Sequence, residues 1–252
     1  MKFVRYEHNG TFGYGVFDNK EIYPLDTNPF ETYSISDSSI QANKVRILSP
    51  CLPSKALCIG LNYRDHAEEM RLTLPTAPVV FMKPSSSVIG PQEAIVYPSM
   101  SKRLDYEAEL VIVMRKSARH VAEKDVDDYI LGYTCGNDVT ARDLQPQDGQ
   151  WTVSKGFDTF MPLGPYIDTD VDPDNLAIHS LLNGTVKQSS NTSNLIFKCR
   201  YLVSYLSKVM TLYPQDVIMT GTPGGIGPMN AGDSIEIAIE GIGSLVNPII
   251  KE

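Results

Sequence analysis

Between residues 2 and 25 apolar and polar positions alternate in three short runs, "KFVRYE", "TFGYGVF" and "EIYPL", which are separated by "HNG" and "DNK". Period-two alternation interrupted by Asn, Asp and Gly is the pattern of strands joined by tight turns. A three-strand meander is therefore expected. The stretch that follows, "DTNPFETYSISDSSIQANK", has no periodicity and reads as a linker. This places a small N-terminal β domain with its linker at residues 1–49 and a main domain at residues 50–252. In the main domain "SKALCIGLNY", "PVVFMKP", "AIVYP", "LDYEAELVIVM", "DVIMTG" and "DSIEIAIEGIGSLVNPII" read as strands. "RDHAEEMR" has helix-forming composition but is short, and "EKDVDDYILGYTCGND" begins helical and becomes apolar. The one strongly amphipathic helix is "NLIFKCRYLVSYLSKVM", with Ile196, Leu202, Leu206 and Val209 along its apolar side. Strands outnumber helices, do not alternate with them, and show no internal repeat. The pattern predicts an α+β, β-rich fold of mixed sheets rather than a doubly wound one.

Composition narrows the function classes. A hydrophobic content of 42% with 21% charged residues is that of an ordinary globular protein. The net charge is -8 and no Lys/Arg cluster interrupts it, which argues against nucleic acid as a partner. No window approaches the roughly 20 apolar residues that span a bilayer, so no membrane partner is expected. "MKFVRYEHNG" lacks the apolar segment of a secretory signal. Cys51, Cys58, Cys135 and Cys199 form no CxxC pair and no zinc-ligand spacing, and read as free thiols of a cytoplasmic protein.

The acidic residues carry the first chemical signal. In "LDYEAELVIVM", Glu107 and Glu109 are two residues apart. On a strand they share a face, about 7 Å apart at the backbone. Two carboxylates held together near a core repel unless a cation offsets them. A sheet edge facing water accounts for the pair as well as a metal site does. Asp138, at the end of "CGND", supplies a third acid, although a lone Asp there also fits a turn. The four histidines, His8, His66, His120 and His179, have no ligand spacing. An all-oxygen site favours Mg²⁺ or Mn²⁺ over Zn²⁺ or copper.

Three further stretches bear on chemistry. In "GLNYRDHAEEM", His66 and Glu69 share a helix face, an arrangement that suits a general base but also occurs on plain surface helices. Lys155 in "WTVSKGFDTF" is either buried beside an anion or reaches out of a strand. "GTPGGIGP" has neither a Walker sequence nor a following helix for a pyrophosphate. It fits a backbone-rich turn near a small anion, with Thr220 and Thr222 offering hydroxyls.

Taken in order, "GLNYRDHAEEM", "FMKPSSSVIGP", "DYEAEL", "GYTCGNDVTARDLQ", "WTVSKGFDTFMPLGP" and "MTGTPGGIGP" resemble the blocks of the fumarylacetoacetate hydrolase family across residues 50–252. The resemblance implies a β-roll of mixed sheets with a small N-terminal domain, and a homodimer. It implies that Glu107, Glu109 and Asp138 bind Mg²⁺ or Mn²⁺. It implies that His66 and Glu69 activate water on a lid that orders over substrate, that Lys155 and Gln145 line the site, and that Arg142 and Thr222 contact substrate. A 2-oxo acid chelated through its carboxylate and 2-oxo oxygen can form an enolate at C3. Water attack at a 4-oxo carbon then hydrolyses an acylpyruvate, loss of CO₂ decarboxylates oxaloacetate, and proton movement alone gives tautomerisation or isomerisation. The expected function is C–C cleavage of short 2-oxo acids. The alternatives are a 2-hydroxyhepta-2,4-diene-1,7-dioate isomerase, an oxo-acid tautomerase, or a non-catalytic relative that binds a small acid. Fold and motif do not choose among these.

Overall fold

The computed structural model describes residues 1–69, 73–147 and 149–252. The N-terminal alternation forms the expected strands, Lys2–His8, Thr11–Asp18 and Glu21–Pro24, paired antiparallel in sequence order. Lys2–His8 also pairs with Met161–Asp168, so the meander extends the sheet of the main domain. From that junction the sheet runs through Ile130–Asn137, Ala108–Met114, Val217–Met219 and Ala56–Gly60, and ends at the edge strand Val79–Lys83. Val217–Met219 lies parallel to Ala56–Gly60 and the other neighbours on this path are antiparallel, which makes the sheet mixed. A five-stranded sheet is built from Thr185–Asn191, Ala177–Leu182, Ser234–Ile239, Gly243–Lys251 and Ile95–Tyr97. A three-stranded one joins Thr140–Ala141, Leu104–Tyr106 and Gly227–Met229. The fold is β-rich α+β, as the pattern predicts. Among the described residues no helix is long and apolar enough to cross a membrane.

Ala108–Met114 is buried along its whole length. Leu110, Ile112 and Met114 face one apolar cluster, with Ile178, Ile237 and Leu245 of the five-stranded sheet and Leu202 and Leu206 of the long helix. Val111 and Val113 face a second cluster with Leu163, Ile167 and Met219. Fully burying a side chain of this size stabilises by about 1.5–3 kcal/mol. The strand that carries Glu109 is thus anchored on both faces.

Three local expectations need correction. "LDYEAELVIVM" is two strands, Leu104–Tyr106 and Ala108–Met114, in different sheets. The break falls at Glu107, whose N–H donates to Asn137 Oδ1 at 2.9 Å while its carbonyl accepts from Asp138 N at 2.9 Å. A side-chain amide takes over one ladder bond and the chain changes sheet. The amphipathic helix is Cys199–Val209, buried through Cys199, Leu202, Val203 and Leu206. Ile196 precedes it, and Val209, its last residue, is exposed where the apolar stripe has turned away. Lys155 is on a single helical turn, Thr152–Lys155, and not on a strand.

Candidate active site

Glu107, Glu109 and Asp138 meet where the large sheet gives way to the three-stranded one. All three are buried, and one oxygen from each lies within 4.8 Å of the others. Glu107 and Asp138 have cationic partners. Lys155 Nζ donates to Glu107 Oε2 at 2.8 Å and to Asp138 Oδ2 at 2.6 Å. Lys83 Nζ donates to Asp138 Oδ1 at 2.5 Å and to the Val139 carbonyl at 3.0 Å. Arg142 donates through Nη2 to Glu107 Oε1, through Nη1 to Gln145 Oε1, and through Nε to Asp105 Oδ2. Burial would raise the Glu107 pKa, but Lys155 and Arg142 together hold it down at about 2. Burial would lower that of Lys155, and Asp138 and Glu107 raise it instead.

Glu109 differs from its neighbours. Its side chain is 1% exposed, and its one hydrogen-bond partner among the described residues is Gly221 N–H, which donates to Oε2 at 2.7 Å. Burial first, then Asp138 and Glu107, push its pKa well above the carboxylate range. Among the described residues no cation is paired with it, and a hard divalent ion bound by the three acids would be that cation.

The "GTPGGIGP" turn spends its backbone donors on this protein's own carboxylates. Gly221 serves Glu109, and Gly225 N–H donates to Glu69 Oε2 at 3.2 Å. Gly221 has φ +99°, and a Cβ there would stand 2.8 Å from Asn62 Cβ, so a side chain is excluded where Glu109 docks. Thr222 lines the cleft. Thr220 does not, because its hydroxyl donates to the Leu110 carbonyl at 2.8 Å and is fully buried.

His66 and Glu69 sit on the short helix Arg64–Glu69, with His66 Nδ1 at 3.4 Å from Glu69 Oε2. The helix is tied down by Asp65, which accepts from Ser190 Oγ, and by Asn62 just before it. Asn62 is fully buried, and its amide nitrogen donates to the carbonyls of Thr220 and Phe197. The remainder of the expected "RDHAEEMR" helix, residues 70–71, lies outside the described residues. A helix this short is marginal by itself. Amide exchange at residues 63–69 is therefore expected to slow when oxalate and Mg²⁺ are added together. Unchanged exchange in a deuterium-labelling experiment would refute ordering by ligand.

His66, Glu69, Glu107, Glu109, Asp138, Arg142, Gln145, Lys155 and Thr222 all line one cleft of about 610 Å³, the full set proposed from sequence. Four residues were missed. Lys83 was readable as a lysine ending the apolar run "PVVFMKP". Asp105 and Arg103 continue the alternation of Glu107 and Glu109 backwards along "RLDYEAE".

The fourth, Gln188, left no signal in its polar stretch. It is fully buried. Its Oε1 accepts from Ala108 N, between the two glutamates, at 3.0 Å, and its Nε2 donates to Thr222 Oγ1 at 2.7 Å and to the Pro223 carbonyl at 2.8 Å. One amide thus joins the acid-bearing strand to the glycine turn. Gln188→Leu would orphan buried groups at about 1–3 kcal/mol each. A fall in Tm of several degrees, at roughly 2–4 °C per kcal/mol, is expected together with weaker Mg²⁺ binding. Thermal unfolding and calorimetry that matched the parent would refute the bridging role.

Comparison with known proteins shows the family to which the chain belongs. Residues 55–250 match the family model "Fumarylacetoacetate (FAA) hydrolase C-terminal", and residues 1–50 match "Rv2993c-like, N-terminal". The mitochondrial oxaloacetate tautomerase Fahd2a of Rattus norvegicus is 41% identical over 223 residues, 84% of this chain and 71% of that protein. The structure of a 2-hydroxyhepta-2,4-diene-1,7-dioate isomerase from Mycobacterium marinum superposes with a TM-score of 0.93 at 39% identity, covering 100% of this chain and 99% of that one. A maleylpyruvate hydrolase from Sphingobium sp. SYK-6, in complex with manganese(II) and pyruvate, superposes with a TM-score of 0.83 at 27% identity, with 100% and 99% covered. By its family model, its relatives and its fold, this chain belongs to the fumarylacetoacetate hydrolase family.

Proposed function

We propose that the protein is an Mg²⁺- or Mn²⁺-dependent enzyme that cleaves a C–C bond in short anionic 2-oxo acids, by acylpyruvate hydrolysis or oxaloacetate decarboxylation. The observation that carries this reading is Glu109, a buried carboxylate with no cationic partner among the described residues, set beside two other acids in a cleft that also holds His66 and Glu69. Glu107, Glu109 and Asp138 offer the hard oxygen donors that Mg²⁺ and Mn²⁺ prefer, and would hold the ion. When bound, the ion supplies Lewis acidity toward the carboxylate and 2-oxo group of the substrate. The chain's own residues do the rest. Lys155, fixed between Glu107 and Asp138, keeps a positive charge at the reacting end. His66, oriented by Glu69, takes a proton from water for attack at a 4-oxo carbon. Arg142 and Gln145 position the substrate, and Thr222 offers a hydroxyl to the same cleft.

A second reading is proton movement without bond cleavage, in a tautomerase or isomerase. It is favoured by the rat relative's name and by the mycobacterial structure. The discriminating experiment presents an acylpyruvate, oxaloacetate in both tautomers and the dienedioate to the purified protein with Mg²⁺ or Mn²⁺. Pyruvate, CO₂ and the ultraviolet absorbance of the enol or diene are followed. Release of pyruvate or CO₂ above the metal-only rate supports cleavage. Enol decay without either product transfers the assignment to the second reading. No turnover in any arm overturns both.

A further inference from the structure

We propose that Arg103 binds a second carboxylate of the substrate, which makes the cleft selective for 2-oxo dicarboxylic acids over their monocarboxylic counterparts. This rests on the reading of the site as a metal-dependent 2-oxo acid site. Among the described residues, three Lys or Arg side chains line the cleft, Arg103, Arg142 and Lys155. Lys155 is held by Glu107 and Asp138. Arg142 uses Nε, Nη1 and Nη2 on Asp105, Gln145 and Glu107. Arg103 uses Nε alone, on Asp105 Oδ1 at 2.9 Å, and among the described residues its Nη atoms have no hydrogen-bond acceptor. Its side chain is 51% exposed, whereas the Asp105 carboxylate between the two arginines is fully buried.

The position of Arg103 is built. Its N–H donates to Ser101 Oγ and Asp143 Oδ1, its carbonyl accepts from Arg142 N at 2.8 Å, and Asp105 fixes the guanidinium plane. A guanidinium with both outer nitrogens open is the usual partner for a carboxylate taken through two parallel bonds. Asp105 links it through Arg142 to Glu107, so it stands two residues along an ion-pair chain from the acid triad. One carboxylate and the 2-oxo group at the triad would leave a distal carboxylate to reach Arg103.

The test measures binding directly. Trp151, the only tryptophan, lines the cleft with its ring 5.2 Å from that of Phe81, and its fluorescence reports occupancy. Pyruvate, 2-oxoglutarate and 2-oxoadipate are titrated with Mg²⁺ into the parent protein, Arg103→Gln and Arg103→Lys. The parent is expected to bind at least one diacid about tenfold or more tighter than pyruvate, by charge-assisted hydrogen bonds. Arg103→Gln is expected to erase that ratio, and Arg103→Lys to restore part of it as a point charge. Equal losses for diacid and monoacid would mean that Arg103 only braces Asp105, and would overturn the proposal. Mg²⁺-dependent binding with no diacid preference in the parent would overturn it while leaving the functional reading in place. Absence of Mg²⁺-dependent binding of all three acids would overturn both.

Discussion

Glu109→Gln is expected to abolish divalent-ion binding and activity while raising Tm measured in chelator. The two effects have one origin. Glu109 sits beside Glu107 and Asp138 with no cationic partner among the described residues, and burial makes its ionised form costly. Glutamine keeps the shape, and its carbonyl oxygen still accepts from Gly221 N–H, so the glycine turn need not move. With its pKa raised, ion-free Glu109 costs the folded state stability at neutral pH, through repulsion when ionised or proton uptake when neutral, and glutamine removes that cost together with the third anionic ligand. Relief of roughly 1 kcal/mol corresponds to about 2–4 °C in a protein of this size. Loss of ion affinity should be complete at millimolar Mg²⁺ in calorimetry, because the two acids left are already neutralised by Lys155, Lys83 and Arg142. Glu107→Gln should behave differently in chelator. Glu107 is held ionised by Lys155 and Arg142, so its neutralisation leaves buried cations short of a partner and lowers Tm. Opposite signs of the two Tm shifts separate a repelled ligand from a paired one. Parallel shifts, or unchanged Mg²⁺ affinity in Glu109→Gln, would remove Glu109 from the ligand set.

The parts of this site that were legible in the sequence are those in which chemistry and local spacing coincide. Glu107 and Glu109 declare themselves because two acids at i and i+2 open an apolar run. His66 and Glu69 do so because i and i+3 share a helix face. The meander was legible because its turns carry Asn, Asp and Gly at the tips, and Asn9, Asn19 and Gly10 indeed have positive φ. What escaped was decided by long-range geometry. Period two alone does not show that the strand changes sheets at Glu107, since the cause is an amide from Asn137, 30 residues away. Gln188 lies 80 residues from Ala108, and a buried glutamine among Lys, Ser and Asn looks like any surface position until the sheets are assembled. The glycine turn was read as a backbone-rich turn near a small anion, and two of its N–H groups, those of Gly221 and Gly225, donate to Glu109 and Glu69. Only the fold shows which anion is nearest. Lys155 was left open between a buried and an exposed role, and the Trp151–Phe81 wall with the paired acids decides for the buried one.

His66→Ala should lower acylpyruvate hydrolysis far more than oxaloacetate decarboxylation. Hydrolysis needs an activated water, and the residue placed to take its proton is His66, oriented by Glu69, which the Gly225 N–H in turn holds. A lost general base typically costs on the order of 10²–10⁴-fold in rate. Decarboxylation needs no attacking water, only stabilisation of the charge left at C3, and that demand falls on the acid triad, its ion and Lys155. The loss there should be smaller, set by how well the helix Arg64–Glu69 still packs against Ser190 and the glycine turn. Glu107→Gln, by contrast, should stop both reactions, because it disturbs the ion site and frees Lys155 and Arg142 from their partner. The comparison requires both variants on both substrates at saturating Mn²⁺, with enol decay of oxaloacetate followed in parallel. A selective loss of hydrolysis assigns water activation to His66. If enol decay falls with hydrolysis while decarboxylation persists, His66 moves the C3 proton and the tautomerase reading gains. Equal losses of all three reactions would mean that His66 and Glu69 close the site over substrate, and their role as a base would have to be withdrawn.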